Sequence, residues 1–401
     1  MLLIWDIHLT SKIKSEVLEE LKSFISSHDE EKNIIFLWDY VYHFSYDRTA
    51  LLELFQLFLQ FYESWKKVYI LAWNHDRLWE NFVFEEGKKV FDLLEKNKAL
   101  TFITKPLLTT IEDEDILFLP FTLDLHENEY WVYEKWATPL TESLLSSKEK
   151  NEVFSGKLNQ LLNGFLKEHK KLTVIHHYYL NKTNFPGYHS TFSYKDIALS
   201  EILLDNPDIT LVSGHLHAPF AYKNYLCTWS VRPTSSLESN HLKGLFTYNN
   251  RTFSFYASQP LHYLEMENIN VTNKENLQSL YRQYTDQTKQ ILDSSSLLTL
   301  KDFEVPELDI KKVVLTLKVK ELNFDKIDEV LDPKLREQLT DFRLKKDTAH
   351  MNNLLEKLWR PEEEKLQSFW GWQDLLKEFL KLHYPDEYSK YESMLRDLKV
   401  I

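Results

Sequence analysis

The chain has 401 residues and a formal net charge of -13, with 48 Lys and Arg against 61 Asp and Glu. Proteins that coat nucleic acid depend on neutralising phosphates with Lys and Arg, so this balance argues against that class, although it allows a nuclease with a local basic groove. The single cysteine, Cys227, excludes an intrachain disulfide, and no apolar run reaches the roughly 20 residues of a membrane-spanning helix. We therefore expect a cytoplasmic protein that does not enter the membrane, with Cys227 as a small core residue.

Five apolar, strand-like runs along the chain each end at Asp, Asn or His. In chain order, the polar groups that end them are Asp6-Ile-His8, Asp39, Asn74-His75-Asp76, His176-His177 and His215-Leu-His217. Between the first three runs, apolar residues recur at helical spacing, as Val17, Leu18, Leu21 and Ile25 do. Strands that alternate with helices predict a layered α/β sheet, and such sheets place their sites beyond the carboxyl ends of the strands. We expect the five polar groups to meet at one rim.

His215 and His217 form the most informative of these groups. They follow the apolar run from Leu211 to Gly214, where a strand would give way to a loop. Alternate residues of a strand point to the same face, so the two imidazoles would lie side by side. Neutral imidazoles on one face are good ligands for a first-row divalent metal. The pattern favours a metal site, and an ordinary pair of surface or core histidines is the alternative.

The polar groups resemble the signatures of the calcineurin-like metallophosphoesterase superfamily. The family patterns are Asp-x-His, Gly-Asp, Gly-Asn-His-Asp/Glu, a strand-terminal His and Gly-His-x-His. In this chain they read, in the same order, Asp6-Ile-His8, Trp38-Asp39, Trp73-Asn74-His75-Asp76, His176 and Gly214-His215-Leu216-His217. The resemblance covers residues 1–262. It implies a four-layer α/β metallophosphoesterase sandwich, in which β sheets are flanked by helices.

The resemblance also implies a centre of two divalent metal ions. One ion would be held by Asp6, His8 and His217, the other by Asn74, His176 and His215, and Asp39 would bridge both. Carboxylate, imidazole and amide ligands suit manganese, which we expect, and also iron or zinc. Two such ions can clamp a phosphoryl group during in-line attack, so no serine or cysteine nucleophile is required.

Five further histidine and aspartate positions take roles from the resemblance or from their place in the chain. His75 would stabilise the phosphoryl transition state or protonate the departing oxygen, and Asp76 would orient His75. His43 matches a position near the metals in DNA-repair members of the superfamily, where it would contact substrate or support a ligand. His189 lies on a predicted loop above the rim, where substrate contact competes with an ordinary surface loop. His177 is expected to pack and not to bind metal.

Tryptophan stands where glycine is expected at several of these turns. Trp38 and Trp73 occupy the glycine positions of two signatures, Trp229 precedes Ser230 where related nucleases have Gly-Ser, and Trp5 stands where small residues are usual. The chain has 7 glycines and 11 tryptophans, although average usage of about 7% predicts roughly 28 glycines. We hypothesise that UGA codons of the source organism encode glycine and were read as tryptophan. UGG codons at positions 38 and 73 would refute this hypothesis.

The chain beyond the signatures is expected to form two further parts. Residues 263–322 contain the helix-like stretch from Asn276 to Leu292 and the strand-like run from Val313 to Val319, which suffice for a small α/β capping domain. Ser294 to Ser296 is the best hinge candidate within it. Residues 323–401 predict a charged helical tail. A cap after the catalytic domain resembles the nuclease subunit of SbcCD-type DNA repair complexes.

That second resemblance implies DNA as the substrate and a separate partner chain. In SbcCD-type nucleases, C-terminal helices grip the coiled-coil base of an SMC-like ATPase, and the apolar stripe through Leu366, Phe369 and Leu376 suits a helix-in-groove contact. Folding of this stripe back onto its own domain is the alternative. The sequence leaves open whether the chain forms a homodimer.

The leading interpretation is a DNA exonuclease or endonuclease of double-strand-break repair type, which depends on two metal ions. The order of the signatures and the cap favour it, and the acidic balance disfavours it. The first alternative is a phosphoesterase that acts on a small molecule or a phosphoprotein, which would not need so long a C-terminal extension. The second alternative is a non-catalytic scaffold that keeps the fold, which only the tryptophan substitutions favour.

Overall fold

The computed structural model has a mixed α/β fold. It describes residues 1–9, 14–37, 40, 48–71, 77–78, 81–82, 100–120, 147–182, 184–185, 188–189, 198–214, 219–228, 230–233, 238–258, 262–267, 273–319, 331–346 and 388. The described helices are α1 (Lys14–Ser27), α2 (Arg48–Glu63), α3 (Ser147–Glu168), α4 (Lys274–Leu292) and α5 (Pro333–Gln338), with 3-10 helices at Glu201–Asp205 and Ile310–Lys312.

The strands follow one another closely along the chain. The first eleven are β1 (Leu2–Trp5), β2 (Asn33–Leu37), β3 (Lys67–Leu71), β4 (Arg77–Leu78), β5 (Asn81–Phe82), β6 (Leu100–Ile103), β7 (Leu107–Ile111), β8 (Glu114–Leu119), β9 (Leu172–His176), β10 (Tyr179–Leu180) and β11 (Asn184–Phe185). The others are β12 (Tyr188–His189), β13 (Ala198–Leu199), β14 (Ile209–Ser213), β15 (Phe220–Tyr222), β16 (Tyr225–Cys227), β17 (Gly244–Asn249), β18 (Thr252–Ala257), β19 (His262–Glu267), β20 (Thr299–Glu304), β21 (Val313–Val319) and β22 (Asp341–Lys346).

Two larger sheets carry most of these strands. The first sheet has the order β20-β18-β17-β1-β2-β3-β6, and the second has the order β15-β16-β14-β9-β8-β7. In the first, β1, β2, β3 and β6 are parallel neighbours, and β17 lies antiparallel to β1. In the second, β8, β9, β14 and β16 are parallel neighbours. The predicted alternation of strands with helices is therefore confirmed, and the parallel strands of each sheet end at one edge.

Apolar residues on one face of each large sheet pack against helices. Leu2 and Ile4 of β1 belong to one buried cluster with Val17 of α1 and Phe58 of α2. In the second sheet, Leu117, Val174 and Leu211 share a second cluster with residues of α3, which are Phe154, Leu158, Leu161, Leu162 and Phe165. Each cluster buries one face of a sheet under helices, as the apolar periodicity of both kinds of element requires.

Residues on the opposite faces of the strands contact the other sheet. Tyr69 of β3 stacks on Phe118 of β8, with ring centroids 5.7 Å apart and planes inclined by 18°. The Thr173 hydroxyl of β9 lies 2.9 Å from the Tyr248 hydroxyl of β17. Cys227 is buried at the end of β16, which confirms its expected place in the core. The two sheets therefore face each other through β3, β17, β8 and β9.

One expectation for the region beyond residue 262 is corrected. Asp341–Lys346, predicted within a helical tail, forms β22 and joins β19 and β21 in a three-stranded sheet, because Phe342 and Leu344 alternate with charged residues. The Ser294 hydroxyl donates to the Ile291 carbonyl at 2.7 Å, at the end of α4, and the hinge near Ser294 to Ser296 stays a prediction. The predicted stripe from Leu366 onward lies outside the described residues.

The chain divides into two compact units. One comprises Met1–Leu317 with Phe324–Arg343, and the other comprises Lys318–Asn323 with Leu344–Ile401. The expected domain boundaries near residues 262 and 322 stay predictions. In the described ranges, no helix is both long and apolar enough to cross a membrane.

Trp65 lies in the tight turn that ends α2. Its φ is 61°, in the left-handed region, and its side chain is 91% exposed. The Lys66 N–H donates to the Phe61 carbonyl at 3.1 Å, which is the hydrogen bond of a Schellman motif with residue 65 at its left-handed position. Glycine normally occupies this position because it has no Cβ. Trp65 is therefore a further tryptophan in a glycine environment, beyond those that the signatures identified.

Trp5, in contrast to Trp65, does not occupy a position that favours glycine. It is fully buried in β1, and its ring lies against Gly214. Glycine at position 5 would leave a cavity in place of the indole ring, so the packing gives no reason to prefer glycine there. Trp38, Trp73 and Trp229 lie outside the described residues.

Replacing Trp65 by glycine is expected to stabilise the protein by about 1 kcal/mol. A left-handed backbone costs a residue with a Cβ roughly 1–2 kcal/mol, and the greater freedom of glycine in the unfolded chain offsets part of this gain. Urea unfolding followed by circular dichroism measures the free energy of unfolding. Trp65→Ala is the matched control, because it removes the exposed ring but keeps the Cβ. An equal gain from alanine would contradict the prediction.

Candidate metal centre

The end of β1 forms a strained turn that carries two of the predicted metal ligands. Asp6, Ile7 and His8 follow the strand directly, and all three are buried. Asp6 has a φ of 36° and His8 a φ of 45°. Such backbone costs a residue with a Cβ roughly 1–2 kcal/mol, and strain of this kind concentrates at ligand-binding and catalytic positions. The Asp6–His8 turn is therefore the starting point of the candidate site.

Main-chain hydrogen bonds fasten this turn to the end of β2. The Asp6 N–H donates to the Leu37 carbonyl at 3.1 Å, and the Leu9 N–H donates to the Tyr40 carbonyl at 2.9 Å. Asp39, the predicted bridging ligand, stands between Leu37 and Tyr40 in the chain and lies outside the described residues. The residues on both sides of position 39 are thus held beside the turn.

The Tyr40 side chain joins the ends of β2 and β3. It is fully buried, and its hydroxyl lies 3.1 Å from the Phe36 carbonyl oxygen and 3.0 Å from the Leu71 carbonyl oxygen. Leu71 is the last residue of β3. The predicted ligand Asn74 follows it in a segment that lies outside the described residues. Tyr40 therefore fixes the strand end from which that segment departs.

Gly214 brings the end of β14 against the turn. A Cβ built on Gly214 would lie 2.4 Å from Cε3 of Trp5 and 3.3 Å from Oδ2 of Asp6. Glycine is needed here because any side chain would collide with the Trp5 ring. The next residue is His215, which with His217 lies outside the described residues. The end of β14 therefore lies close to the Asp6 carboxylate, and the two predicted histidine ligands come shortly after it in the chain.

His176 ends β9, the strand beside β14 in the second sheet. Its side chain is fully buried, and its ring stacks on Tyr225 with centroids 6.2 Å apart. Burial lowers the pKa of His176 to about 3, and the nearby backbone of Tyr178 opposes this shift only in part. Neither ring nitrogen makes a hydrogen bond of good geometry within the described part of the chain. A buried imidazole that stays neutral fits a metal ligand.

Buried positive charges lie behind the turn. The Arg232 guanidinium donates to the His8 carbonyl oxygen through Nε, at 2.8 Å, and through Nη2. Lys243 is buried and forms an ion pair with Glu238. Burial lowers the pKa of Lys243 to about 7, Glu238 and then Asp6 oppose the shift, and Arg232 adds to it. Lys243 and Arg232 are therefore within electrostatic range of each other and of the turn.

The described residues contain three of the seven predicted metal ligands. Asp6 and His8 share one turn, and His176 ends a strand of the facing sheet. The remaining predicted site residues outside the described ranges are Asp39, His43, Asn74, His75, Asp76, His215 and His217. Among the residues that the structure does describe, no group of three or more His, Cys, Asp or Glu side chains could hold a metal ion.

The structure also places two further histidines that the sequence analysis considered, His189 and His177. His189, predicted on a loop, lies in the short strand β12, paired with Asn184 of β11, which corrects the loop assignment; its side chain is outside the described part. A two-residue strand is too short for periodicity to reveal. His177 is buried, as a packing residue would be.

Sequence reasoning missed the residues that hold the turn in place. Arg232 follows Thr228-Trp-Ser-Val231 at the end of a strand-like run, and nothing in the sequence marks an arginine before a proline as buried. Lys243 stands between the apolar Leu242 and Gly244, which is the one available signal of burial. Tyr40 directly follows a signature residue but carries no pattern of its own.

Comparisons with known proteins gave no assignment. No family model matches the chain, and no curated protein matches it at a significant level.

Replacing His176 by phenylalanine is expected to stabilise the metal-free protein by about 1–3 kcal/mol near neutral pH, because it removes buried nitrogens without good hydrogen bonds. The gain should grow as the pH falls from 6.5 towards 3, since there the unfolded histidine binds a proton that the folded one does not. Urea unfolding in EDTA at neutral and mildly acidic pH measures both effects.

The matched control is His169→Phe, because His169 is partly exposed and lies 2.8 Å from Asp115. It should give no gain at either pH. A loss of stability from His176→Phe at both pH values would contradict the prediction, because it would show that the ring nitrogens of His176 make stabilising hydrogen bonds in the folded chain.

Replacing Lys243 by methionine is expected to destabilise the protein by about 3–5 kcal/mol, because it leaves Glu238, whose side chain is 11% exposed, without its cation. The double variant with Glu238→Gln should recover most of this loss. Urea unfolding provides the measurement. Lys223→Met is the control, because its ion pair with Asp205 is solvent-exposed and should be worth less than about 1 kcal/mol. Equal small losses in both single variants would contradict the prediction.

Proposed function

We propose that this chain is a phosphodiesterase that depends on two divalent metal ions. The observation that carries the proposal is the Asp6–His8 turn, which is strained, buried and packed against Gly214 of the facing sheet. A carboxylate and an imidazole presented together on such a turn are a suitable donor pair for a first-row metal. His176, neutral and buried at the end of the other sheet, adds a donor of the same kind.

The arrangement of the sheets supports the calcineurin-like metallophosphoesterase fold as part of the proposal. Helices α1 and α2 cover the outer face of the first sheet, and α3 covers that of the second. Contacts such as that of Tyr69 with Phe118 join the inner faces. This order of layers agrees with a four-layer sandwich whose strand ends carry the site.

The ligand set divides between two ions. Asp6, His8 and His217 would hold one ion, Asn74, His176 and His215 the other, and Asp39 would bridge them. Two ions of manganese, or of iron or zinc, would supply Lewis acidity to clamp the phosphoryl group of the substrate. His75 would donate a proton to the departing oxygen, and Asp76 would orient its ring. Burial keeps His176 neutral, which is the protonation state that ligation needs.

DNA is the substrate that we propose first. A cap and a C-terminal tail would suit a double-strand-break repair nuclease whose tail binds an SMC-like ATPase, in the cytoplasm and with a homodimer as one arrangement. His43 and His189 would contact the substrate. The net charge of -13 favours the second candidate, a phosphoesterase for a small molecule or phosphoprotein, because a polyanionic substrate is repelled by an acidic protein.

Manganese-dependent hydrolysis by the purified full chain tests the proposal. The chain should be prepared both as it stands and with glycine at positions 38, 73 and 229. Single-stranded DNA, double-stranded DNA and bis(p-nitrophenyl) phosphate serve as substrates. Asp6→Asn and His176→Asn are expected to lose about 100-fold or more in kcat/KM, as removal of a metal ligand or its support does. EDTA should abolish the activity, and added manganese should restore it.

Asp115→Asn and His169→Asn are matched controls, because these residues are of the same types, lie 2.8 Å apart, and stand near the start of β8 and after α3. Both should keep wild-type activity. Hydrolysis of the generic ester but not of DNA would select the phosphoesterase for smaller substrates. Bound metal without any hydrolysis would select the scaffold, and the absence of metal binding in both preparations would overturn the proposal.

A further inference from the structure

Arg232 contacts the main chain of a predicted ligand from a distant part of the sequence. Its side chain is buried, and Nε and Nη2 both donate to the His8 carbonyl oxygen, with Nε at 2.8 Å. Nη1 lies 3.2 Å from the Pro233 carbonyl oxygen. A charged donor makes a stronger hydrogen bond to a carbonyl than a neutral one, and the planar fork fixes its direction. The orientation of the His8 carbonyl is thus set by Arg232.

The peptide group that Arg232 binds is also held on its other side. The His8 carbonyl and the Leu9 N–H belong to one planar peptide unit. The N–H donates to the Tyr40 carbonyl at 2.9 Å, while the oxygen accepts from Arg232. This plane marks the exit of the turn and cannot rotate without breaking bonds on both sides.

The entry of the turn is fixed in a similar way. The Asp6 N–H donates to the Leu37 carbonyl at 3.1 Å. Between the two fixed peptide groups, Asp6 and His8 keep their left-handed φ values of 36° and 45°. Because such values cost residues with a Cβ roughly 1–2 kcal/mol each, the turn would relax if one end were released. Arg232 is the only side chain among the described contacts that holds the exit.

Arg232 is itself anchored by its neighbours. The hydroxyl of Ser230, which is fully buried, donates to the Arg232 carbonyl at 2.7 Å. The segment that carries both residues follows Thr228, whose N–H donates to the Ser213 carbonyl at 2.7 Å beside Gly214. The guanidinium therefore extends from a backbone that is tied to the end of β14 and reaches the end of β1.

We propose that Arg232 is a positioning residue for one metal ion, the one that Asp6 and His8 bind; this inference rests on the proposed function. By fixing the His8 peptide plane, Arg232 holds Asp6 and His8 in the left-handed backbone conformation from which their side chains would bind the ion. Its loss would let the exit of the turn relax and would withdraw the His8 ring. The ion bound through His176 has no ligand on the turn and would be retained.

Metal titration of the full-length apoprotein tests this inference. Isothermal titration and electron paramagnetic resonance with manganese alone should show two bound ions in the wild type. Arg232→Met should weaken one of the two sites by about 10–100-fold, which is the usual effect of losing a group that orients a ligand, and leave the other unchanged. Arg232→Lys should give an intermediate loss, because it keeps the charge but not the fork.

Kinetics provide a second readout. With Arg232→Met, kcat for bis(p-nitrophenyl) phosphate should recover at high manganese concentration, and the KM for the ester should stay within about twofold of the wild type, since substrate contacts are not altered. Arg251→Met is the matched control. Arg251 lies in the turn between β17 and β18, and its guanidinium also donates to a main-chain carbonyl, that of Pro207. It should leave both metal sites intact.

The outcomes separate this inference from the proposed function. Two manganese sites of wild-type affinity in Arg232→Met, with a lower melting temperature, would overturn the positioning role and leave the proposed function standing. A wild type that binds no manganese would overturn both. If Arg232→Met does not fold, Ser230→Ala replaces it, and it should weaken the same site by about threefold or more, because Arg232 loses its anchor. Unchanged affinity in Ser230→Ala and Arg232→Lys would also overturn the inference.

Discussion

The left-handed backbone of the Asp6–His8 turn is the constraint on which the candidate site depends. Residues with a Cβ avoid this conformation when they are free, and here the peptide groups that enter and leave the turn are bound. Leu37 at the end of β2 and Tyr40 three residues later hold them, and Arg232 holds the exit from a segment after β16. These partners come from separate parts of the chain, so the turn exists only in the folded protein. A conformation fixed in this way would be preorganised for the metal ion that we propose.

The same region contains features that oppose stability. His176 is buried without a good hydrogen bond to its ring nitrogens in the described chain, and Lys243 is buried with Glu238. An apolar residue at position 176, or an apolar pair in place of both Lys243 and Glu238, would pack with less loss of solvation. Proteins tolerate such groups where binding or catalysis needs them. The strained Asp6–His8 turn, the buried His176 and the buried Arg232 lie near the strand ends at which we propose the site.

Apolar periodicity predicted the elements that are long and regular. It located β1, β9 and the helix α1, and it placed polar residues at the strand ends, because a buried strand has to stop where its side chains become polar. It was wrong for Asp341–Lys346, where a short run alternates with charged residues inside a charged region and either period fits. It could not detect that Trp65 takes a left-handed φ, because a helix end depends on the turn geometry and not on the side chain.

The sequence by itself determined that Asp6, His8 and His176 follow or end strands of an α/β fold. Only the tertiary structure decided which distant groups meet them. Arg232 reaches the His8 carbonyl across 224 positions of the chain, and Gly214 admits the Trp5 ring from the other sheet. The physical reason is that local periodicity encodes the face on which a residue lies, whereas its partner depends on how the sheets pack together.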